Sequence, residues 1–154
     1  MELTKAISKA RRVYLCGNGG SAANCIHVAN DLISVGIKAH ALTADVATLT
    51  AIANDFDYSA VFSRQLRTFA EPGDLLIALS GSGKSPNIIA ALAAAKEIGV
   101  QSWAIIGAYN KDTPADRLAS NVIKQGNDMQ AAEEYQLFLG HEIMRQIKQL
   151  KEAA

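Results

Sequence analysis

The chain has 154 residues, of which 49% are hydrophobic and 19% are charged, and its 15 basic residues balance its 15 acidic residues. This length and composition predict one globular domain over residues 1–154 and exclude the disordered and collagen-like classes. Zero net charge gives no overall field that would attract nucleic acid or a membrane surface, so we expect neither partner. Because the sequence shows no signal-peptide or transmembrane stretch and contains only Cys16 and Cys25, it predicts a cytoplasmic protein with both thiols in the core.

Strand-like and helix-like segments alternate along the whole chain. Short apolar runs predict strands over residues 12–16, 38–42, 75–79, 102–106 and 121–123. Helical periodicity predicts helices over residues 3–10, 21–35, 46–53, 58–69, 85–98 and 129–151. This alternation is typical of parallel βαβ units, so the predicted fold is a doubly wound α/β domain with a five-stranded parallel sheet flanked by helices.

Two loops rich in glycine and serine each lie between a predicted strand and a predicted helix. They are residues 16–21, Cys-Gly-Asn-Gly-Gly-Ser, and residues 80–85, Ser-Gly-Ser-Gly-Lys-Ser. A loop that opens a helix presents unpaired backbone N–H groups, and the helix dipole favours an anion there. The common strand order 2-1-3-4-5 brings these loops together at the switch point beside strands 1 and 3. We therefore predict that both loops hold one phosphorylated ligand, in preference to serving as bare structural turns.

Neither loop fits a nucleotide-binding motif well. In the first loop, Ala22 stands where the G-x-G-x-x-G fingerprint needs its third glycine. Strand 2 ends at Leu42 and Thr43, without the acidic residue that would bind a ribose. The second loop resembles a Walker A motif, but Ala78 replaces its first glycine. The sequence therefore disfavours a dinucleotide or a nucleoside triphosphate as the ligand.

Histidines and carboxylates recur at helical spacing on two predicted helices. His27 and Asp31 are four residues apart after the first loop, and Glu133 and His141 are about two turns apart on the last helix. Such pairs can bind a divalent metal ion or transfer protons. Solvated helix faces show the same spacing, so the pattern alone leaves both interpretations open.

Taken together, these residues resemble the sugar isomerase (SIS) domain family, and within it the sedoheptulose 7-phosphate isomerase group, which includes a replication-initiator-binding relative. The resemblance covers nearly the whole chain through residues 16–21, Ala53-Asn54-Asp55-Phe56, Phe62-Ser63-Arg64, Gly73-Asp74, residues 80–85 and the C-terminal helix. It implies a five-stranded parallel sheet and a homotetramer whose sites are built between subunits.

The resemblance also implies the residues of the site and the reaction. The implied phosphate- and sugar-binding residues are Asn18, Gly19, Gly20, Ser21, Asn54, Asp55, Ser80, Gly81, Ser82, Ser85 and Glu133. The implied ligands of a divalent metal ion, zinc first, are His27, Asp31, Glu133 and His141. Asp31 and His141 would transfer protons while the metal polarises the carbonyl of a ketose or aldose phosphate, such as sedoheptulose 7-phosphate, and the reaction would pass through an enediol.

Three positions depart from the family pattern: Asp31 replaces the catalytic glutamate, Glu133 replaces a glutamine, and Lys84 replaces a common asparagine. The shorter Asp31 shifts a base by about an ångström, which is enough to lose roughly 10²-fold in rate. Two further functions therefore stay open: an isomerase of another sugar phosphate selected by Glu133, and a non-catalytic module that binds a sugar phosphate or a protein. Because the segment before strand 1 is shorter than in the family, we expect either a tetramer or a dimer.

Overall fold

The computed structural model of the protein describes residues 1–153. Its strands are β1 (Val13–Gly17), β2 (Ala39–Ala41), β3 (Leu75–Ser80), β4 (Gln101–Ile106) and β5 (Asn121–Lys124). Its helices are α1 (Glu2–Lys9), α2 (Gly20–Ser34), α3 (Val46–Asp55), α4 (Val61–Phe69), α5 (Pro86–Ile98), α6 (Pro114–Leu118) and α7 (Met129–Glu152). A 3₁₀ turn, Tyr58–Ala60, precedes α4.

The strands form one parallel sheet in the order β2-β1-β3-β4-β5, which confirms the predicted fold class and strand order. β1 and β3 are neighbours at the centre, with Val13 paired to Leu75 and Gly17 paired to Leu79. Both strands are buried along their whole length, as expected for strands covered on both faces. Their carboxyl ends lie side by side, and each leads into one of the two Gly/Ser loops.

Helices cover both faces of the sheet, and alternate strand residues point to opposite sides. One core contains Leu32 of α2 and Ile143 of α7, and the other contains Phe62 of α4. Cys25 lies in the first core and Cys16 in the second, both unpaired and fully buried, which confirms the predicted core positions. Burial in these apolar surroundings raises the pKa of both thiols.

Local signals explain where most helices begin and end. Asp45 caps α3 by accepting the N–H of Thr48, and Gly99 ends α5 in the left-handed region at φ +82°. The sequence pattern did not predict α6, because its five residues are too few to show periodicity. A capping box between Thr113 and Asp116 begins this helix. The sequence pattern also predicted a single helix over residues 58–69, whereas the structure has a 3₁₀ turn, Tyr58–Ala60, before α4. None of the helices within residues 1–153 is both long and apolar enough to cross a lipid bilayer.

Candidate active site

The two Gly/Ser loops meet at the carboxyl edge of the sheet, as the strand order predicted. A pocket of about 260 Å³ lies between them. Its walls include Asn18, Gly19 and Ser21 from the first loop, and Ser80, Gly81, Ser82 and Ser85 from the second. Met129 and Glu133 of α7 close a third side. Residues that are far apart in the sequence therefore surround one small cavity.

Both helices that start at this pocket lack a side-chain cap. Gly19, the N-cap of α2, has no side chain to offer, and Ser85, the N-cap of α5, makes no capping hydrogen bond through its hydroxyl. Gly19 also has φ +55°, a conformation that glycine adopts without strain. In the first turn of α5 the N–H of Ile88 already donates to Asn87 Oδ1 at 3.0 Å. The remaining N–H groups of an uncapped helix N-terminus favour a negatively charged ligand. This backbone arrangement is compatible with an anionic ligand, although the Glu133 carboxylate in the pocket wall opposes one.

Two serines of the second loop stabilise the loop and still have a proton to donate. Ser80 Oγ accepts the N–H of Gly83 at 3.1 Å, and Ser82 Oγ accepts the N–H of Lys84 at 3.2 Å. Because each oxygen acts as an acceptor in these bonds, each hydroxyl proton remains available for a ligand oxygen.

Asn18 is held by two residues that the sequence analysis missed. Its Oδ1 accepts from the Tyr58 hydroxyl at 2.9 Å and from Asn87 Nδ2 at 2.7 Å, while its Nδ2 donates to Asn87 Oδ1 at 2.9 Å. These contacts tie the first loop to the start of α5. Asn87 could have been found as a polar residue in the first turn after the second loop. Tyr58 had no such signal, because its contact with Asn18 spans 40 residues.

The helices α2 and α7 bring together three of the four predicted metal ligands. His27 Nε2 lies 3.0 Å from His141 Nε2, and Asp31 Oδ2 lies 3.4 Å from the first and 3.6 Å from the second. Two ring nitrogens this close require a proton on one of them or a cation between them. These three side chains form a possible metal-binding triad.

The triad fits a divalent metal ion in both chemistry and spacing. Asp31 Oδ2 is buried and has no hydrogen-bond partner within residues 1–153. Two imidazoles and one carboxylate are a common donor set for zinc, and adjacent ligands of a tetrahedral zinc site lie about 3.3 Å apart when bonds are about 2.0–2.1 Å. The His27 side chain is 50% exposed, so the triad is open to solvent on that side. An ion and a substrate atom can therefore both reach it.

Glu133 lies apart from this triad. Its carboxylate contacts Gly20, where any Cβ would collide with it, and it forms part of the pocket wall. His141 is eight residues further along α7, which is about 12 Å along the axis at 1.5 Å per residue. The arrangement gives Glu133 its predicted pocket position and separates it from the three grouped ligands. A side chain at Gly20 would require the Glu133 carboxylate to move from its present position.

Asn54 and Asp55 lie outside the pocket. Both are exposed at the end of α3, where Asn54 Nδ2 donates to Asp55 Oδ1 at 2.9 Å. Neither contributes to the pocket wall formed within residues 1–153. These two predicted binding residues are therefore not brought to the site by the fold of a single chain.

A family model described as "SIS domain" matches residues 2–107. The chain belongs to the SIS domain family. This SIS domain is 42% identical over 113 residues to a phosphoheptose isomerase of Desulfovibrio desulfuricans, covering 70% of the chain and 54% of the relative. It is 47% identical over 102 residues to one of Aromatoleum aromaticum, covering 62% and 52%. The solved structure of phosphoheptose isomerase GmhA from Neisseria gonorrhoeae superposes with a TM-score of 0.86 at 30% identity, covering 96% of the chain and 81% of that protein.

This SIS domain spans about half the length of the phosphoheptose isomerases that it matches in sequence. The family model covers both Gly/Ser loops and the segment of α2 that carries His27 and Asp31. It ends at residue 107, before α7 begins. The contribution of Glu133 and His141 to the site therefore rests on the geometry of the fold.

Proposed function

We propose that the protein is a metal-dependent isomerase that interconverts the ketose and aldose forms of a sugar phosphate such as sedoheptulose 7-phosphate. One observation carries the proposal: α2 begins at the anion pocket and, further along, bears two members of the His/Asp/His triad. From Ser21 to His27 the helix rises about 9 Å at 1.5 Å per residue. An extended phosphosugar can therefore place its phosphate in the loops and its carbonyl end near the triad.

In this proposal the loops bind the phosphate and the triad does the chemistry. The N-termini of α2 and α5, with the hydroxyls of Ser82 and Ser85, donate hydrogen bonds to the phosphate oxygens. Gly81 and Ser80 complete the second loop, and Asn18 is oriented by Tyr58 to bind a sugar hydroxyl. Binding the phosphate far from the reacting carbons fixes the substrate without occupying the triad.

Proton transfer falls to two side chains of the triad. Asp31 takes the proton from the carbon beside the carbonyl and returns it to the neighbouring carbon, which converts ketose to aldose through an enediol. His141 moves the hydroxyl proton between the two adjacent oxygens. A divalent ion, with zinc favoured by the donor set of His27, Asp31 and His141, supplies electrophilic stabilisation of the carbonyl oxygen when bound.

The proposal includes a homo-oligomer, either a tetramer or a dimer. Asn54 and Asp55 lie away from the pocket of their own chain and are exposed for contact with a second copy. The similarity to phosphoheptose isomerases supports the substrate class. Two buried, unpaired cysteines fit a reducing compartment, so the proposed setting is the cytoplasm.

The test is an isomerase assay with sedoheptulose 7-phosphate on purified protein before and after chelation, and again after zinc is restored. We expect turnover that is lost on chelation and recovered with zinc. His141→Ala should remove turnover, whereas His40→Ala, which changes a histidine on β2 outside the triad, should retain it. Absence of turnover with five- to seven-carbon sugar phosphates would contradict the proposal. Tight binding without turnover would identify the protein as a non-catalytic phosphosugar-binding module.

A further inference from the structure

The backbone of α7 approaches α2 closely at Gly140. A Cβ placed on Gly140 would collide with Val28 Cγ2 and lie 3.3 Å from Val28 Cγ1. Val28 is buried, and a β-branched residue in a helix has one strongly preferred χ1 rotamer, so turning it away from a new Cβ costs free energy. Glycine is a poorer helix former than alanine in a helix interior. The lack of a side chain at this position is therefore explained by the helix contact.

This contact lies directly beside the triad on both helices. Val28 follows His27 on α2, and Gly140 precedes His141 on α7. Any change in the distance between the helices here therefore moves His141 relative to His27 and Asp31. The Asp31 side chain has only one methylene, yet its Oδ2 lies within 3.6 Å of both ring nitrogens. Asp31 and His27 share α2, so the approach that needs closely spaced helices is the one from the short Asp31 carboxylate to His141 on α7.

A second set of contacts, nearer the loops, fixes how far α7 is shifted along α2. Asn24 Nδ2 donates to the Glu133 carbonyl at 2.9 Å and to Gln136 Oε1 at 3.2 Å. Ser21 Oγ donates to the same Gln136 Oε1 at 2.9 Å. Because a backbone carbonyl can only accept, the orientation of both amides is determined. The amides hold the helices in register, and the Gly140–Val28 contact then sets their separation at the triad.

We propose that Gly140 is a positioning residue of the metal site. Its missing side chain sets the separation of α2 and α7 at which the short Asp31 carboxylate and two imidazoles bind one divalent ion. This inference rests on the proposed function, which supplies the ion. Gly140 itself touches neither the ion nor the substrate and acts only through the distance between the helices.

The first test measures zinc and cobalt(II) affinity of the Gly140→Ala variant by calorimetric titration. We expect at least a tenfold loss of affinity, the size of effect seen when groups that orient metal ligands are removed. The double variant Val28→Ala/Gly140→Ala removes both methyl groups that the new Cβ meets, so its affinity should return to within about threefold of wild type. Val28→Ala alone controls for the loss of the valine. The cobalt(II) absorption spectrum should change in Gly140→Ala and recover in the double variant.

The second test changes the length of the carboxylate. Asp31→Glu should weaken zinc binding in the wild-type background, where the longer side chain overshoots. It should improve zinc binding in the Gly140→Ala background, where the helices are further apart. The effect of Asp31→Glu on zinc affinity should therefore change sign between the two backgrounds. This is expected if Gly140 and the length of the carboxylate act through the same distance between the helices, and a purely structural role for Gly140 would not produce it.

Outcomes that overturn the inference are distinct from failure of the proposed function. If wild type binds zinc and Gly140→Ala binds it equally tightly with only a lower melting temperature, Gly140 is structural and the inference is wrong. If wild type binds neither zinc nor cobalt(II), the proposed metal is wrong and the inference falls with it. Should Gly140→Ala fail to fold, the double variant and its Asp31→Glu derivative decide the question.

Discussion

The pocket between the Gly/Ser loops and the His/Asp/His triad need different amounts of tertiary structure. Each loop directly follows a central strand, so the order of the parallel strands alone brings the loops together. The triad joins His27 and His141, which are 114 residues apart, and it depends on how closely two helices pack. A site formed at strand ends follows from topology, whereas a site formed between helices also requires the side chains that separate them.

The two regions also have different proposed roles, binding for the pocket and chemistry for the triad. Substitutions should therefore separate them kinetically. Changes in the triad should lower kcat, and changes in the pocket should mainly raise KM, because the loops hold a part of the substrate that does not react. Four variants test this division.

Asp31→Asn should have the largest effect. It removes the base and one negatively charged metal ligand, so we expect kcat to fall by about 10³-fold, within the range typical of a lost acid–base group. The affinity for inorganic phosphate, measured by calorimetry, should stay within about threefold of wild type because the loops are unchanged. Asp112→Asn, at a carboxylate that is 79% exposed, is the matched control and should leave kcat unaltered. A kcat within tenfold of wild type for Asp31→Asn would exclude Asp31 as the base.

Ser82→Ala should raise KM for the sugar phosphate by about tenfold, the cost of losing one hydrogen bond to a charged group. Part of the loss of substrate affinity comes from the loop itself, because the Lys84 N–H loses Ser82 Oγ, its acceptor at 3.2 Å. We expect kcat to change by less than about threefold. Ser8→Ala, which removes a hydroxyl on α1 that bonds the Thr4 carbonyl, is the control. A fall in kcat with constant KM would show that the second loop takes part in the chemistry.

The same division explains what could be predicted from the sequence. Strand order and loop position follow from alternating strands and helices, and the helical spacing of His27 and Asp31 placed both on one face. The separation of Glu133 from the triad could not be predicted, because spacing along α7 does not say which neighbour each side chain meets. Gly140 gave no signal, since the collision that excludes a side chain there involves Val28 on another helix.

Glu133→Gln tests whether this residue belongs to the pocket or to the triad. Its carboxylate forms part of the wall of the proposed phosphate pocket, so removing the charge should tighten binding of inorganic phosphate by about fivefold through reduced repulsion. Zinc affinity should stay unchanged, because Glu133 lies outside the triad. Calorimetry with each ion separately gives both values, and Glu134→Gln at the exposed neighbouring position is the control. A tenfold loss of zinc affinity would instead make Glu133 a metal ligand and remove the division between the two regions.

Tyr58→Phe should have the smallest effect, and it locates the boundary of the pocket. The Tyr58 hydroxyl donates to Asn18 Oδ1 at 2.9 Å, but Asn87 Nδ2 donates to the same oxygen at 2.7 Å and keeps the amide oriented. Because one donor remains, the loss of an exposed neutral hydrogen bond should raise KM only about twofold and leave kcat unchanged. Steady-state kinetics at saturating zinc measures both constants, and Tyr14→Phe, whose hydroxyl donates to the Phe69 carbonyl at 3.1 Å and does not line the pocket, is the matched control. A tenfold rise in KM for Tyr58→Phe would mean that Tyr58 itself binds the substrate, and the pocket would then extend beyond the two loops to the turn before α4.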